Sequence, residues 1–538
     1  MEPATSRVAA PRADRLALLI IQLGALAVVL AAYPYKAFDL DRYFVPKELV
    51  LHATAAIAAL LCVASRRRLV LDAVDLLLVA FLALSTASAI LATNRWVAAR
   101  GLAVSLSGIA IYWVARALRA EGRHRAVVGA VATAATLGAI TSLLQTYGVD
   151  SEYFSLNRAP GGTFGNRNFM AHVCAIATPA IIYCALTARS SRGYLGWGLA
   201  FGLVSAAVFL SRSRAAWLAL AASLGLMIIA AWLTRHRWRE PRLSRRVTTL
   251  GVAAGVFIGA VALLPNTLEW KSDSPYLESM RGVVNYRQGS GRGRLVQYTT
   301  SLKMATAHPI LGVGPGNWAV VYPRYADDGD PSLDTEGMTA NPWPSSDWMA
   351  FLSERGLPAF VALVLAFVAI GVGAVRQLAR ARTSDQIFAG LALGGTIVAT
   401  VVVSAFDAAL LLAAPTLLVW ALLGALRDPR AATQGLTISR GVHQWAPALA
   451  FALGALAVGR SVCQSVAMDI FNGTSRTSRI ETASFLDPGS YRIHVRLAES
   501  YAERGNCARV IPHARAARSL FPNAAEPRQL LAQCGRRR

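Results

Sequence analysis

Four arginines stand as two pairs in short polar stretches of an otherwise apolar chain. Arg212 and Arg214 lie in "SRSRAAW", and Arg292 and Arg294 lie in "GRGRLVQY". A guanidinium group is always charged, and its planar fork of N–H donors suits a diphosphate better than a lysine does. We predict that these arginines help to hold an anionic leaving group at the outer membrane face. The alternative for the first pair is two interfacial arginines whose charges reach out to the membrane surface.

A second polar stretch, "NRAPGGTFGNRNF", adds two arginines and two asparagines to this prediction. Arg158 and Arg167 would extend the anion site, because converging guanidinium groups bind phosphate. Asn166 and Asn168 would either hydrogen-bond a sugar or cap the helix that begins there. Both interpretations of the asparagines stay open at this point.

The stretch "SSDWMAFLSERGLP" supplies the candidates for a general base. Asp347 and Glu354 are its two carboxylates, and a carboxylate within hydrogen-bond reach of a sugar hydroxyl is chemically adequate. A cap or an ion pair near a helix is the structural alternative for Glu354. His52 and His172 lie in apolar runs and are predicted to be packed, hydrogen-bonded histidines, with a proton relay as the alternative. No spacing of Cys, His and carboxylate typical of a metal site is present, so we predict neither a metal nor a cofactor.

The glycine-rich stretch "GVGPGNW" follows the second arginine pair. Backbone N–H groups at Gly314 and Gly316 could cradle a phosphate, and Asn317 could add a side-chain hydrogen bond. The alternative is an ordinary turn, for which glycine and proline are the usual residues.

These residues are carried by a chain suited to a membrane. Of its 538 residues, 55% are hydrophobic and only 16% are charged, which excludes an ordinary soluble enzyme. Apolar runs of about 20 residues, each long enough to cross a bilayer, predict an all-α polytopic protein with about 12 to 13 spans. The predicted spans are 15–33, 47–65, 70–92, 97–118, 124–147, 168–188, 192–210, 213–233, 247–264, 346–375, 386–405, 408–426 and 443–461.

The net charge of +24 could indicate a nucleic-acid partner, but its distribution argues against one. Basic residues concentrate in alternate short loops, the pattern of loops that face the cytoplasm. The basic loops are 66–68, 116–125, 234–246 and 376–382. We therefore predict no nucleic acid, a membrane domain over residues 1–461, and an extracytoplasmic loop at 265–345.

The tail, residues 476–538, breaks the membrane pattern and shows an internal repeat. Pro488 and Pro522 stand 34 positions apart, which is the period of the tetratricopeptide repeat. One repeat and part of another are predicted here, packed against the membrane domain or a protein partner. Cys507 and Cys534 lie in this external segment, where a disulfide between them is a further hypothesis.

Four stretches together resemble the O-antigen ligase and polymerase superfamily of bacterial membrane glycosyltransferases. They are "GGTFGNRNFMA", "SRSRAAW", "GRLVQY" followed by "HPILGVGPGNW", and "SSDWMAFLSERGLPAF". The resemblance spans roughly residues 15–430. It implies a multi-pass protein of the bacterial inner membrane with a large periplasmic loop and a periplasmic tail. It also implies transfer of a glycan from an undecaprenyl-diphosphate carrier to a lipid A-core, protein or glycan acceptor, without metal or nucleotide sugar.

The resemblance assigns roles to particular positions of this chain. It implies that Arg214 and Arg294 contact the carrier diphosphate and that Tyr298 takes the place of a family tryptophan. Ser345 stands where many ligases have a histidine that engages the acceptor, so the usual base is missing. A polymerase of the same fold is one alternative function. A transporter of a lipid-linked saccharide is another, although the chain lacks the symmetry between halves that is typical of transporters.

Overall fold

The computed structural model describes residues 9–66, 70–156, 158–237, 243–270, 274–282, 289–428, 436–437, 441 and 444–536. Arg67, Arg68 and part of the predicted basic loop at 234–246 lie outside these ranges. Within them the regular secondary structure is helical apart from one short antiparallel ribbon, in which β1 (Val70–Leu71) pairs with β2 (Leu436–Thr437), and an isolated bridge between Leu333 and Thr339. The all-α prediction is therefore confirmed.

The helices of the membrane domain follow the predicted apolar runs, except that α10, α11 and α12 lie in the long loop 265–345. They are α1 (Ala9–Leu30), α2 (Asp41–Ala64), α3 (Ala73–Ile90), α4 (Arg95–Ala120), α5 (His124–Thr146), α6 (Arg167–Leu186), α7 (Ser191–Ser211), α8 (Arg214–Thr234), α9 (Leu243–Leu263), α10 (Pro275–Arg281), α11 (Gly289–Ala307), α12 (Trp318–Val321), α13 (Asp347–Arg380), α14 (Ser384–Phe406), α15 (Ala413–Leu426) and α16 (Ala446–Gly473).

Twelve of these helices are long and apolar enough to span a membrane in the described part of the chain. The exception among the predicted spans is α15, which has 14 residues and is about 21 Å long at 1.5 Å per residue, short of a typical hydrocarbon core. The chain is thus a multi-pass membrane protein. The last span, α16, continues past residue 461, where the sequence predicts its end.

The helices are arranged around α6 and α15, which are almost entirely buried. Helices α9 and α16 pack few of their residues inward, as expected for helices that face lipid at the rim. The long loop 265–345 joins α9 to α13 and carries α10, α11 and α12. We call the end of the bundle where this loop lies the loop end.

The tail forms four short helices, α17 (Thr477–Leu486), α18 (Tyr491–Glu503), α19 (Cys507–Leu520) and α20 (Ala525–Arg536). A disulfide joins Cys507 to Cys534, as hypothesised. The tail lies at the loop end, because Arg492 pairs with Asp39 at 2.7 Å and the Ala525 N–H donates to the Glu336 carbonyl at 3.0 Å. The assignment of these helices to the tetratricopeptide class stays a prediction.

Candidate functional site

Arg294 and the turn that carries Arg214 both approach one buried histidine at the loop end. His172 on α6 is fully buried, and its Nε2 lies 3.4 Å from the Oγ of Ser213, the residue before Arg214. The charges of Arg294 on α11 and Asp407 after α14 both act on its ring. We call Arg214, Arg294, His172, Ser213 and Asp407 the arginine site.

Two nitrogens of the arginine site are buried without a protein partner among the described residues. They are Nε of Arg294 and Nδ1 of His172. A buried donor without a partner costs about 1–3 kcal/mol, and such groups often mark a place where a ligand or water completes the hydrogen bonds. The arginine site therefore has unused hydrogen-bonding capacity at Arg294 and His172.

The two arginines of the turn between α7 and α8 both contact the C-terminal half of α10. The Arg214 guanidinium donates to the Gly282 carbonyl, just after α10 ends. Nε of Arg212 donates to the Ser279 hydroxyl at 2.9 Å, and its Nη2 lies 4.0 Å from the Glu278 carboxylate. Burial lowers the pKa of Arg212, and the Glu278 charge opposes this effect. Both arginines thus hold α10 over the loop end.

A tryptophan of the long loop contacts two of the predicted arginines. The guanidinium carbon of Arg212 lies 4.6 Å from the centroid of the Trp270 ring, and that of Arg167 lies 4.9 Å from it. The backbone N–H of Arg167 also donates to the backbone carbonyl of Arg158 at 3.0 Å. Arg167 and Arg212 therefore form a second basic group, which we call the tryptophan cluster together with Trp270, and Arg158 is joined to it through its backbone carbonyl.

Tyr298 fixes α11 against the ends of two neighbouring helices. Its hydroxyl lies 2.9 Å from the Ser345 carbonyl and 2.7 Å from the Ala405 carbonyl. The Ser345 N–H donates to the Gln297 side chain at 3.0 Å. Because Arg294 is one turn before Tyr298 on the same helix, these bonds set the position of that arginine. Ser345 contributes its backbone to this arrangement.

Asp347 is fully buried and its carboxylate accepts backbone hydrogen bonds. The N–H groups of Ala409, Leu410 and Leu411 lie 2.9, 2.8 and 3.3 Å from its oxygens. These N–H groups belong to the turn that leads into α15, where a carboxylate is favourable. The Asp347 carboxylate is thus engaged in backbone hydrogen bonds, which favours a structural role for this predicted base.

Glu354 is placed in a similar way. It is 1% exposed, and its two oxygens accept the N–H groups of Gly316 at 2.8 Å and Trp318 at 3.1 Å. The glutamate therefore fastens the glycine-rich turn to α13. This environment favours the structural alternative over the role of base.

The glycine-rich turn uses its own N–H groups internally. The Gly314 N–H donates to the Glu354 carbonyl at 2.8 Å, and the Gly316 N–H is taken by the Glu354 carboxylate. Gly314 has a φ of 103°, and a Cβ there would lie 2.3 Å from Cβ of Ala92. Asn317 is fully buried and exchanges two hydrogen bonds with the Asn94 backbone. These contacts favour a packed turn over a phosphate cradle.

The remaining predicted residues lie at the loop end with separate environments. The Asn166 side chain accepts the N–H of Asn168 at 3.0 Å and caps α6, which favours the capping interpretation. Arg292 is exposed on α11. Sequence reasoning missed Asp407 and Trp270, for which we find no local signal, and it favoured a packed, hydrogen-bonded His172 over a proton relay.

In the described residues, no group of three or more His, Cys, Asp or Glu side chains has the arrangement of a metal site. No curated protein matches the chain. A family model described as O-antigen ligase matches residues 199–364. This stretch carries both arginine pairs, Trp270, the glycine-rich turn and both predicted carboxylates. The match supports the resemblance of this part of the chain to the O-antigen ligase superfamily.

Proposed function

We propose that the protein is a membrane glycosyltransferase that moves a glycan from a polyprenyl-diphosphate carrier to an acceptor hydroxyl. The donor diphosphate binds Arg214 and Arg294 at the loop end. One observation carries this proposal: Arg294 and the turn that carries Arg214 come from elements far apart in the sequence and both approach one buried histidine, and Nε of Arg294 is buried without a protein partner among the described residues. The family match covers both arginines and agrees with it.

The reaction transfers charge to the diphosphate. The acceptor oxygen forms a bond to the anomeric carbon while the bond from that carbon to the diphosphate oxygen breaks. The leaving diphosphate gains negative charge, which fixed guanidinium groups in a water-poor site stabilise strongly. The acceptor gives up a proton, and His172 and Asp407 are the residues of the arginine site that can accept one. Asp347 and Glu354 are engaged with backbone N–H groups.

The acceptor side of the proposal rests on the tail. Arg492 and Ala525 tie it to the loop end, so a partner or acceptor held by the tail would be close to the arginine site. Lipid A-core, a protein and a second carrier-linked glycan are the acceptor classes, and the last of these would make the enzyme a polymerase. We place this chemistry on the periplasmic side of a bacterial inner membrane.

The test is reconstitution of the purified protein in vesicles with a lipid-linked oligosaccharide and each acceptor class, without nucleotide sugar. We expect a joined product that Arg214→Ala and Arg294→Ala each reduce at least tenfold. Arg324→Ala is the matched control, because Arg324 is an exposed arginine of the same loop. Movement of the lipid across the bilayer with no joined product would instead favour the transporter.

A further inference from the structure

A group of basic residues lies where α4 turns into α5, at the end of the bundle opposite the loop end. Arg119 is the last residue but one of α4, Arg123 directly precedes α5, and His124 and Arg125 begin it. Helix α4 starts at the loop end, because the residue before it bonds to the glycine-rich turn. Its 26 residues extend about 39 Å, which exceeds the roughly 30 Å of a hydrocarbon core. These four residues, which we call the turn cluster, therefore lie at the depth of the lipid head groups.

One carboxylate pairs with the turn cluster. Asp385, at the start of α14, lies 2.8 Å from Nη2 of Arg125 and 3.6 Å from Nε2 of His124. The other two arginines of the cluster have no ion-pair partner among the described residues. Glu121, in the same turn, is exposed, and Asp428 acts on the cluster from a longer distance. Two of the three guanidinium groups are thus available to an anion from outside the protein.

Four nitrogens of the turn cluster are buried without a hydrogen-bond partner in the part of the chain that the structure describes. They are Nη1 of Arg119, Nε of Arg123 and both ring nitrogens of His124. Buried polar groups almost always have a partner, so a concentration of this kind within six residues indicates a bound molecule. The side chains of Arg125 and Asp385 are 39% and 30% exposed. The cluster is therefore open to the surface on one side.

We propose that the turn cluster binds the phosphate of an anionic phospholipid, with Arg119 and Arg123 as the charged contacts. Phosphate oxygens accept hydrogen bonds only, and arginine offers them a planar set of donors. Basic pockets between membrane helices bind anionic head groups for this reason. A soluble phosphate has the same chemistry, but the depth of the cluster in a multi-pass chain favours the lipid.

A lipid bound there would join three elements of the membrane domain. Asp385 of α14 also accepts the Tyr183 hydroxyl of α6 at 2.9 Å, so the lipid would bridge the α4–α5 turn to both helices. The opposite ends of α6 and α14 carry His172 and lead to Asp407. The bound lipid should therefore stabilise the two helices that position these residues of the arginine site.

The experiment measures thermal unfolding of the full chain in a neutral detergent by tryptophan fluorescence, so it requires no transfer. Three probes are titrated: phosphatidylglycerol, phosphatidylcholine with the same acyl chains, and inorganic phosphate. The midpoint of the rise in melting temperature gives the apparent affinity. The variants are Arg119→Gln, Arg123→Gln and Arg119→Lys. Arg192→Gln is the control, since Arg192 is an exposed arginine at the start of α7 and at the same end of the bundle.

We expect phosphatidylglycerol to stabilise the wild-type chain at a lower mole fraction than phosphatidylcholine does. Arg119→Gln and Arg123→Gln should each raise the phosphatidylglycerol midpoint about fivefold, the effect of one basic residue near an anionic lipid surface. Arg119→Lys retains the charge and should recover most of the affinity. Arg192→Gln should behave as the wild type.

Three results would overturn the lipid site. They are equal stabilisation by the two phospholipids, an unchanged midpoint in both glutamine variants, and stabilisation by inorganic phosphate as large as that by phosphatidylglycerol. If Arg119→Gln does not fold, Arg123→Gln still tests the site. The result is independent of the proposed function, because the turn cluster and the arginine site lie at opposite ends of the bundle.

Discussion

Replacing Glu354 with glutamine should destabilise the fold and leave the chemistry of the folded protein largely intact. Both carboxylate oxygens accept backbone N–H groups, at 2.8 and 3.1 Å, in a fully buried place. Glutamine retains one acceptor and turns its NH₂ group against the other N–H. One charged hydrogen bond, about 1.5–3 kcal/mol, is lost and one buried donor is left unsatisfied. We therefore expect a loss of about 3 kcal/mol in the free energy of unfolding.

The assay has two readings on the same preparation. Unfolding in mixed micelles of increasing sodium dodecyl sulfate, followed by tryptophan fluorescence, gives the stability. Transfer per folded molecule, measured in the reconstituted system, gives the chemistry. Glu121→Gln is the control, because Glu121 is an exposed residue in the turn after α4, and we expect it to change neither reading. A Glu354→Gln protein with wild-type stability and a transfer rate reduced a hundredfold would refute this reasoning and restore Glu354 as the base.

Three further predictions concern the arginines and the tail. Arg214→Lys and Arg294→Lys keep the charge but lose the planar fork, so each should lower kcat/KM for transfer about tenfold; wild-type values would contradict the diphosphate contact. Cys507→Ser should loosen the tail by about 3–4 kcal/mol, since the disulfide closes a loop of 27 positions. Hydrogen exchange of α19 and α20 measures this, with Cys463→Ser, at a free cysteine, as control. The third concerns His494 and His513, whose Nδ1 atoms lie 3.2 Å apart and can share only one proton. Burial lowers the pKa of both, and for His513 the neighbouring His494 charge adds to the effect. Folding of the tail therefore disfavours protonation of these two histidines. The free energy of unfolding of the tail is highest above about pH 6.5, the pKa of histidine in the unfolded chain, and falls as the pH drops below that value. Hydrogen exchange corrected for intrinsic rates should show this loss, and His513→Asn should remove most of it.

The sequence alone predicted the elements and the chemistry of the arginines. Helix positions could be predicted because a run of about 20 apolar residues is long enough to span a membrane and is visible in the local sequence, as α6 and α13 illustrate. The Asn166 cap and the Cys507–Cys534 disulfide could be proposed for the same reason, since residue type and compartment suffice to raise them. The length of α16 beyond residue 461 was missed, because helix ends outside the apolar run depend on what the helix packs against.

Which side chains meet was decided by the tertiary structure. The sequence does not distinguish Asp347 and Glu354 from carboxylates without partners. The fold places the backbone N–H groups of residues 409–411 against Asp347 and those of Gly316 and Trp318 against Glu354. His172 has an apolar neighbourhood along the chain, but its spatial neighbours are Ser213, Arg294 and Asp407. The physical reason is separation along the sequence. Periodicity and capping act within one or two helical turns, whereas these contacts join helices separated by tens to hundreds of residues. Their positions follow only once the whole bundle is packed.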